Sequence, residues 1–120
     1  MKRLGEKEER LMQIVWELKK AFVKEVREKL PEPKPHINTV STMMKRLYDK
    51  GFLKIEDFGS TYRYSAAISK KKYVAKIVKP FLAGMFGNSI KNAVTFFAEE
   101  EEITLEELKE IMEMIDKKRK

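Results

Sequence analysis

Leu11, Ile14, Val15 and Leu18 recur at i, i+3, i+4 and i+7, the apolar stripe of an amphipathic helix running from about Glu6 to Lys19. Trp16 falls at the rim of that stripe. Val23, Val26 and Leu30 predict a second, shorter helix, with Phe22 packed just before it. Pro31, Pro33 and Pro35 end it, because proline has no backbone N–H to continue the helical ladder. Val40, Met43, Met44 and Leu47 mark the buried side of a third helix, capped at Asn38 and closed by Gly51. After Gly51 the period drops to two. Leu53 and Ile55, then Tyr62 and Tyr64, alternate with Lys54, Glu56, Arg63 and Ser65 around the turn Asp57-Phe58-Gly59-Ser60. This pattern predicts a hairpin of two strands, which is marginal alone and must rest on the helices before it.

The remaining chain is helical by pattern. Ser69 caps a helix from Lys70 with Tyr73, Val74, Ile77 and Val78 on one side, and Pro80 predicts a kink or break at Lys79. Gly84 and Gly87 frame a second soft spot. Asn88 or Ser89 caps the next helix, with Ile90, Ala93, Val94 and Phe97 on one face. Thr104 and Glu107 have the capping-box spacing, and the closing helix carries Leu105, Leu108, Met112 and Ile115, with Ile111 and Met114 widening the stripe.

Composition narrows the chemistry. The 120 residues carry 26 basic and 19 acidic side chains, a net charge of +7, with one His and no Cys. Without Cys there is no disulfide scaffold, thiolate zinc site or thiol nucleophile. The longest uncharged stretch, Pro80 to Ile90, is 11 residues, short of the roughly 20 that a membrane span needs. No signal peptide is visible, so the expectation is a soluble, cytoplasmic chain without membrane association. No phosphate loop or nucleophile motif is present, His36 has no second ligand near it, and the run Glu99–Glu102 points around a helix rather than converging. Neither an enzyme nor a cofactor is expected.

The charge is unevenly placed. From Ser69 to Ala98 there are six Lys and no acid; from Glu99 to Asp116 nine acids face Lys109 alone, before the basic end Lys117–Lys120. More telling is the polar side of the third helix, Asn38, Thr39, Ser41, Thr42, Lys45 and Arg46, which has no acid before Asp49. Three helices and a hairpin in this order make a winged helix-turn-helix, so the fold class is mainly α (α+β). Residues 1–68 form the DNA-binding domain and residues 69–120 a helical dimerisation arm. In that reading the third helix enters the major groove of double-stranded DNA, where short polar side chains allow close approach. The hairpin is the wing, with Lys54, Ser60, Thr61 and Arg63 near phosphates. The rival reading is a winged-helix module that binds protein without specific DNA binding; steep loss of duplex affinity with salt separates the two.

Glu8-Glu9-Arg10-Leu11-Met12-Gln13-Ile14-Val15-Trp16-Glu17-Leu18 and the run Asn38 to Gly51, with its threonines followed by Arg46-Leu47 and Lys50-Gly51, resemble the penicillinase-repressor family (the BlaI/MecI type, with copper-responsive repressors as cousins). Tyr62-Arg63-Tyr64 resembles the family's second wing strand. The resemblance implies a homodimeric repressor of transcription that binds a dyad operator and dimerises through its C-terminal helices. Thr39, Thr42 and Arg46 coincide with polar positions of the family's reader helix, whereas Asn38, Ser41 and Lys45 differ in type. The resistance repressors of the family are cleaved at an Asn-Phe bond; the corresponding pair here is Phe96-Phe97, so the resemblance does not carry that cleavage over. Lacking Cys, the chain also lacks the cousins' thiolate metal site. The agent that relieves repression, a protease or another sensor, stays open.

A tail of some 50 residues is small for an independent core, so its apolar faces point to a partner copy. The residues assigned to that contact are Ile77, Phe81, Ile90, Val94 and Phe97, then Leu105, Leu108, Ile111, Met112 and Ile115 on the closing helix.

Overall fold

The first apolar stripe folds as α1 (Glu6–Leu18) in a computed structural model that describes residues 3–119. Leu11, Ile14 and Val15 are buried as the spacing requires, and Met12 joins them. Glu6, Glu8 and Glu9 sit in the first turn, where carboxylates oppose the positive end of the helix dipole. The chain leaves α1 through Lys19, at φ 71°, whose N–H still reaches the Val15 carbonyl at 2.7 Å. β1 (Lys20–Phe22) follows, then α2 (Val23–Glu28), α3 (Ile37–Asp49), β2 (Leu53–Asp57) and β3 (Tyr62–Ala66).

The sheet corrects the expectation of a two-stranded hairpin. It has three antiparallel strands in the order β1-β3-β2. β1 pairs Ala21 with Tyr64 and Phe22 with Arg63; three residues are too few to show a period of two, and the sequence marks only Phe22, as packing before the second helix. In the hairpin, Leu53 faces Ala66, Ile55 faces Tyr64 and Glu56 faces Arg63. Tyr64 is buried, but Tyr62, two pairs nearer the tip, is 40% exposed, because the helical layer does not reach that far out.

Leu11, Met12, Val15, Val26, Val40, Met44, Leu47 and Tyr64 form the centre of one core between helices and sheet. Each such side chain contributes about 1.5–3 kcal/mol of gross transfer energy. Trp16 stays at the rim, as its position predicts, and its indole N–H donates to the Ile68 carbonyl at 2.9 Å. α2 ends at Glu28, two residues short of the expected Leu30. Gly51 adopts φ +89°, a left-handed conformation that glycine takes without strain, and there the chain reverses from α3 into β2.

α4 (Lys70–Phe86) is capped by Ser69, whose Oγ accepts the Lys72 N–H at 3.2 Å. It runs past Pro80 without the expected break at Lys79, and it ends at Phe86, between Gly84 and Gly87, the residues expected to frame a soft spot. Proline removes one backbone bond of the helix, and the rest of the ladder carries it through. The helix stops at Gly87, with φ +56°. Two compact units divide within it, Met1–Ile77 and Val78–Lys120. Tyr73 and Ile77 pack on the core of the first unit. The tyrosine hydroxyl accepts the Leu4 N–H at 2.9 Å and donates to the Glu9 carboxylate at 2.5 Å.

In the second unit α5 (Ile90–Glu99) is capped by Ser89 rather than Asn88, and α6 (Leu105–Arg119) opens on the expected capping box. Thr104 N–H reaches Glu107 Oε1 at 2.9 Å and Glu107 N–H reaches Thr104 Oγ1 at 3.1 Å. Phe86 and Phe96 pack at a tilt, 5.9 Å between centroids. Among the described residues of this unit only Ala93 is buried. Lys120, the end of the basic run noted in the sequence, lies outside the described residues.

Candidate nucleic-acid interface

The polar face of α3 owes its position to the loop before it. Lys34 Nζ donates to the carbonyls of Glu28 at 2.8 Å and Leu30 at 2.7 Å, placing a cation over the carbonyl end of α2. Arg27 Nε donates to the Pro35 carbonyl at 2.7 Å and ties the loop back to α2. His36 then caps α3: its Nδ1 accepts the Asn38 N–H at 3.0 Å. The cap is therefore His36 and not Asn38, and Asn38 lies within the first turn, two residues after the cap, with its side chain exposed. None of these three roles is singled out by the sequence pattern; only Lys34, a basic residue just past a helix end, carries a known signal, for carbonyl capping.

α3 separates its faces cleanly. Val40, Met44 and Leu47 have no exposed surface, and Met43 is half-buried. Asn38, Thr39, Ser41, Thr42, Lys45 and Arg46 are all exposed. Thr42 Oγ1 donates to the Asn38 carbonyl one turn earlier at 2.9 Å. Its proton is thus committed to the helix, and the outward lone pairs are left to accept. Lys45 lies over the Tyr48 ring, 4.9 Å from its centroid. Among the described residues neither Lys45 nor Arg46 is in a salt bridge.

The hairpin is braced rather than loose. Arg63 gives two nitrogens to Glu56 Oε1, at 2.9 and 2.6 Å. Its guanidinium also lies 5.2 Å from the Phe58 ring, and Phe58 packs at a tilt against Phe22, 5.6 Å between centroids. Hydrogen bonding from Arg63 holds the Glu56 carboxyl below the usual carboxylate range. Arg63 is therefore half-buried and engaged across the strands, while Lys54, Ser60 and Thr61 are exposed. The structure brings Asn38 to Arg46 together on one helix face and puts Ser60 and Thr61 at the hairpin tip.

Of the residues assigned to dimerisation, Ile77 is half-buried on the core of the first unit and Leu108 is half-buried in the second. Phe81, Ile90, Val94, Phe97, Leu105, Ile111, Met112 and Ile115 are exposed. Among the described residues no group of His, Asp and Glu is placed to hold a metal ion, and no helix is long and apolar enough to cross a membrane.

Comparison with known proteins identifies the family. The family model described as Penicillinase repressor matches residues 4–117. The chain is 31% identical over 112 residues to a penicillinase repressor of Staphylococcus aureus, covering 90% of this chain and 89% of the relative. It is 25% identical over 109 residues to the methicillin resistance regulatory protein MecI of Staphylococcus aureus (strain N315), covering 90% and 89%. A solved CopR repressor structure is 28% identical with a TM-score of 0.47, covering 57% of this chain and 100% of that one. With a family match that spans nearly its whole length, the chain belongs to the penicillinase repressor family.

Proposed function

We propose that this protein is a homodimeric transcriptional repressor that binds a dyad operator, with α3 in the major groove and the β2-β3 hairpin at the flanking phosphates. The observation that carries the reading is the outward face of α3, where six polar or cationic side chains stand exposed over a fully buried Val40, Met44 and Leu47. An acid-poor helix face of this kind suits the negative field of a duplex. Asn38 can pair with an adenine edge, Arg46 can grip guanine or phosphate, and Thr42, limited to accepting, suits the amino group of cytosine or adenine. Lys54, Ser60 and Thr61 are the hairpin's phosphate contacts, whereas Arg63 acts mainly by bracing the strands. The names of the relatives, a penicillinase repressor and a resistance regulatory protein, support repression as the outcome.

Dimerisation rests on the second unit. Phe81, Ile90, Phe97, Leu105, Met112 and Ile115 are each 42% to 67% exposed there. Such side chains are already about half buried, so burying the rest of four of them yields about 3–6 kcal/mol gross, at the low end of the roughly 4–15 kcal/mol cost of association. A stable pair therefore needs more than four anchors, and this surface has them. Two-fold pairing presents two reader helices to one side of the duplex, matched to half-sites about 10 base pairs or a multiple apart.

The test is duplex binding as a function of salt. Binding through several phosphates should weaken steeply and log-linearly with added salt, and a selected dyad should be bound far more tightly than a scrambled duplex. A flat salt response with no dyad preference would leave the chain a protein-binding module instead.

A further inference from the structure

We infer that the first unit contains a binding site for a small aromatic carboxylate, set against the back of the reader helix. Among the described residues, a cavity of about 250 Å³ opens between α1, the proline-rich loop and α3. Its depth is apolar. Leu11 and Leu30 form the floor, at 2% and 9% exposure. Pro31, Pro33 and Pro35 form one wall and keep it rigid, since each fixes its own φ. Met43, half-buried and adaptable, forms the other with Thr39.

The rim differs from the floor. Lys7 and Arg10 stand there, three residues apart on α1 and thus on the same side of that helix as Leu11. No carboxylate lines the cavity, and among the described residues neither cation is in a salt bridge. A cavity of about 150 Å³ suffices for benzene, so this one takes a single substituted ring. An apolar depth under two cations selects a ligand with a flat apolar body and one negative end: the ring displaces water from Leu11 and Leu30, while the carboxylate meets Lys7 and Arg10.

Thr39 and Met43 belong to α3, so an occupant presses on the helix from behind. The step from occupancy to a change in DNA binding rests on the proposed function; the binding site itself does not.

The test titrates benzoate into the full-length, isotope-labelled protein without DNA, followed by amide shifts. Saturable shifts centred on Leu11, Leu30, Thr39 and Met43 are expected, with benzyl alcohol and acetate binding at least fivefold more weakly. Lys7→Gln/Arg10→Gln should raise the benzoate Kd about fivefold with the melting temperature unchanged, and added salt should weaken benzoate binding in the unaltered protein. Absence of saturable shifts, shifts centred elsewhere, or equal binding of benzyl alcohol would overturn the site. Duplex affinity at saturating benzoate should change at least threefold. If it stays constant, the effector role is overturned, and if benzoate binds a protein that binds no duplex, it is the DNA reading that fails.

Discussion

Replacing Thr42 with alanine should make the protein more stable and a poorer reader of DNA. In the free protein the Thr42 hydroxyl donates back to the Asn38 carbonyl at 2.9 Å from an exposed position on α3. That back-bond adds little to a helix and often bends it. Alanine has the higher helix propensity, by up to about 0.7 kcal/mol. Nothing buried is exposed by the change, so Thr42→Ala should gain roughly 0.5 kcal/mol. At the duplex the lost acceptor removes one base-edge contact per protomer, about 1 kcal/mol at the low end of such contacts. Two protomers on a dyad then lose about 2 kcal/mol, roughly thirtyfold in affinity. Thr42→Val is the control: it keeps the branched shape, so it should leave stability nearly unchanged while losing the same DNA contact. Urea unfolding measures the first effect, and fluorescence anisotropy on a selected dyad and a scrambled duplex measures the second. If both duplexes lose affinity equally, the hydroxyl touches only phosphate. If Thr42→Ala destabilises the fold, the hydroxyl is structural and the reasoning fails.

Further perturbations probe the rest of the account. Tyr73→Phe removes the acceptor for the Leu4 N–H and the donor to Glu9, and should cost about 2–3 kcal/mol in urea unfolding; a change below about 0.5 kcal/mol would show that water replaces both bonds. Met112→Glu places a charge on the exposed stripe of α6 and should give monomers in sedimentation, with weaker dyad binding; an intact dimer would move the interface elsewhere. Burial raises the Tyr64 hydroxyl pKa, so above about pH 10 the unfolded chain holds fewer protons than the native one and stability falls. Tyr64→Phe should make that alkaline decline shallower; an unchanged slope would mean that Tyr64 ionises alike in both states.

The parts legible in the sequence are those written in long periodic runs. The stripes of α1 and α3, the turn at Gly51 and the Thr104–Glu107 box all needed only spacing and residue type. The outward face of α3 followed from the same stripe, since a helix that buries Val40, Met44 and Leu47 must expose Asn38, Thr42 and Lys45. What stayed hidden depends on contacts distant in the chain or on atoms rather than residue classes. β1 exists because Ala21 finds Tyr64, more than 40 positions away. His36 caps through a ring nitrogen, an acceptor outside the usual Ser, Thr, Asp and Asn set. Arg63 reads as a free cation until Glu56 is seen directly opposite it. Pro80 marks a break by rule, yet the helix continues because one missing bond does not undo those around it.

Dimethyl sulfate protection on a selected dyad tests the central claim most directly, because the reagent marks guanine N7 in the major groove and adenine N3 in the minor groove. Guanine protection is expected in two symmetric clusters about one helical turn, or a multiple, apart, and should be lost with Arg46→Ala. Protection confined to adenine N3, or tight binding that leaves every guanine N7 open, would contradict it.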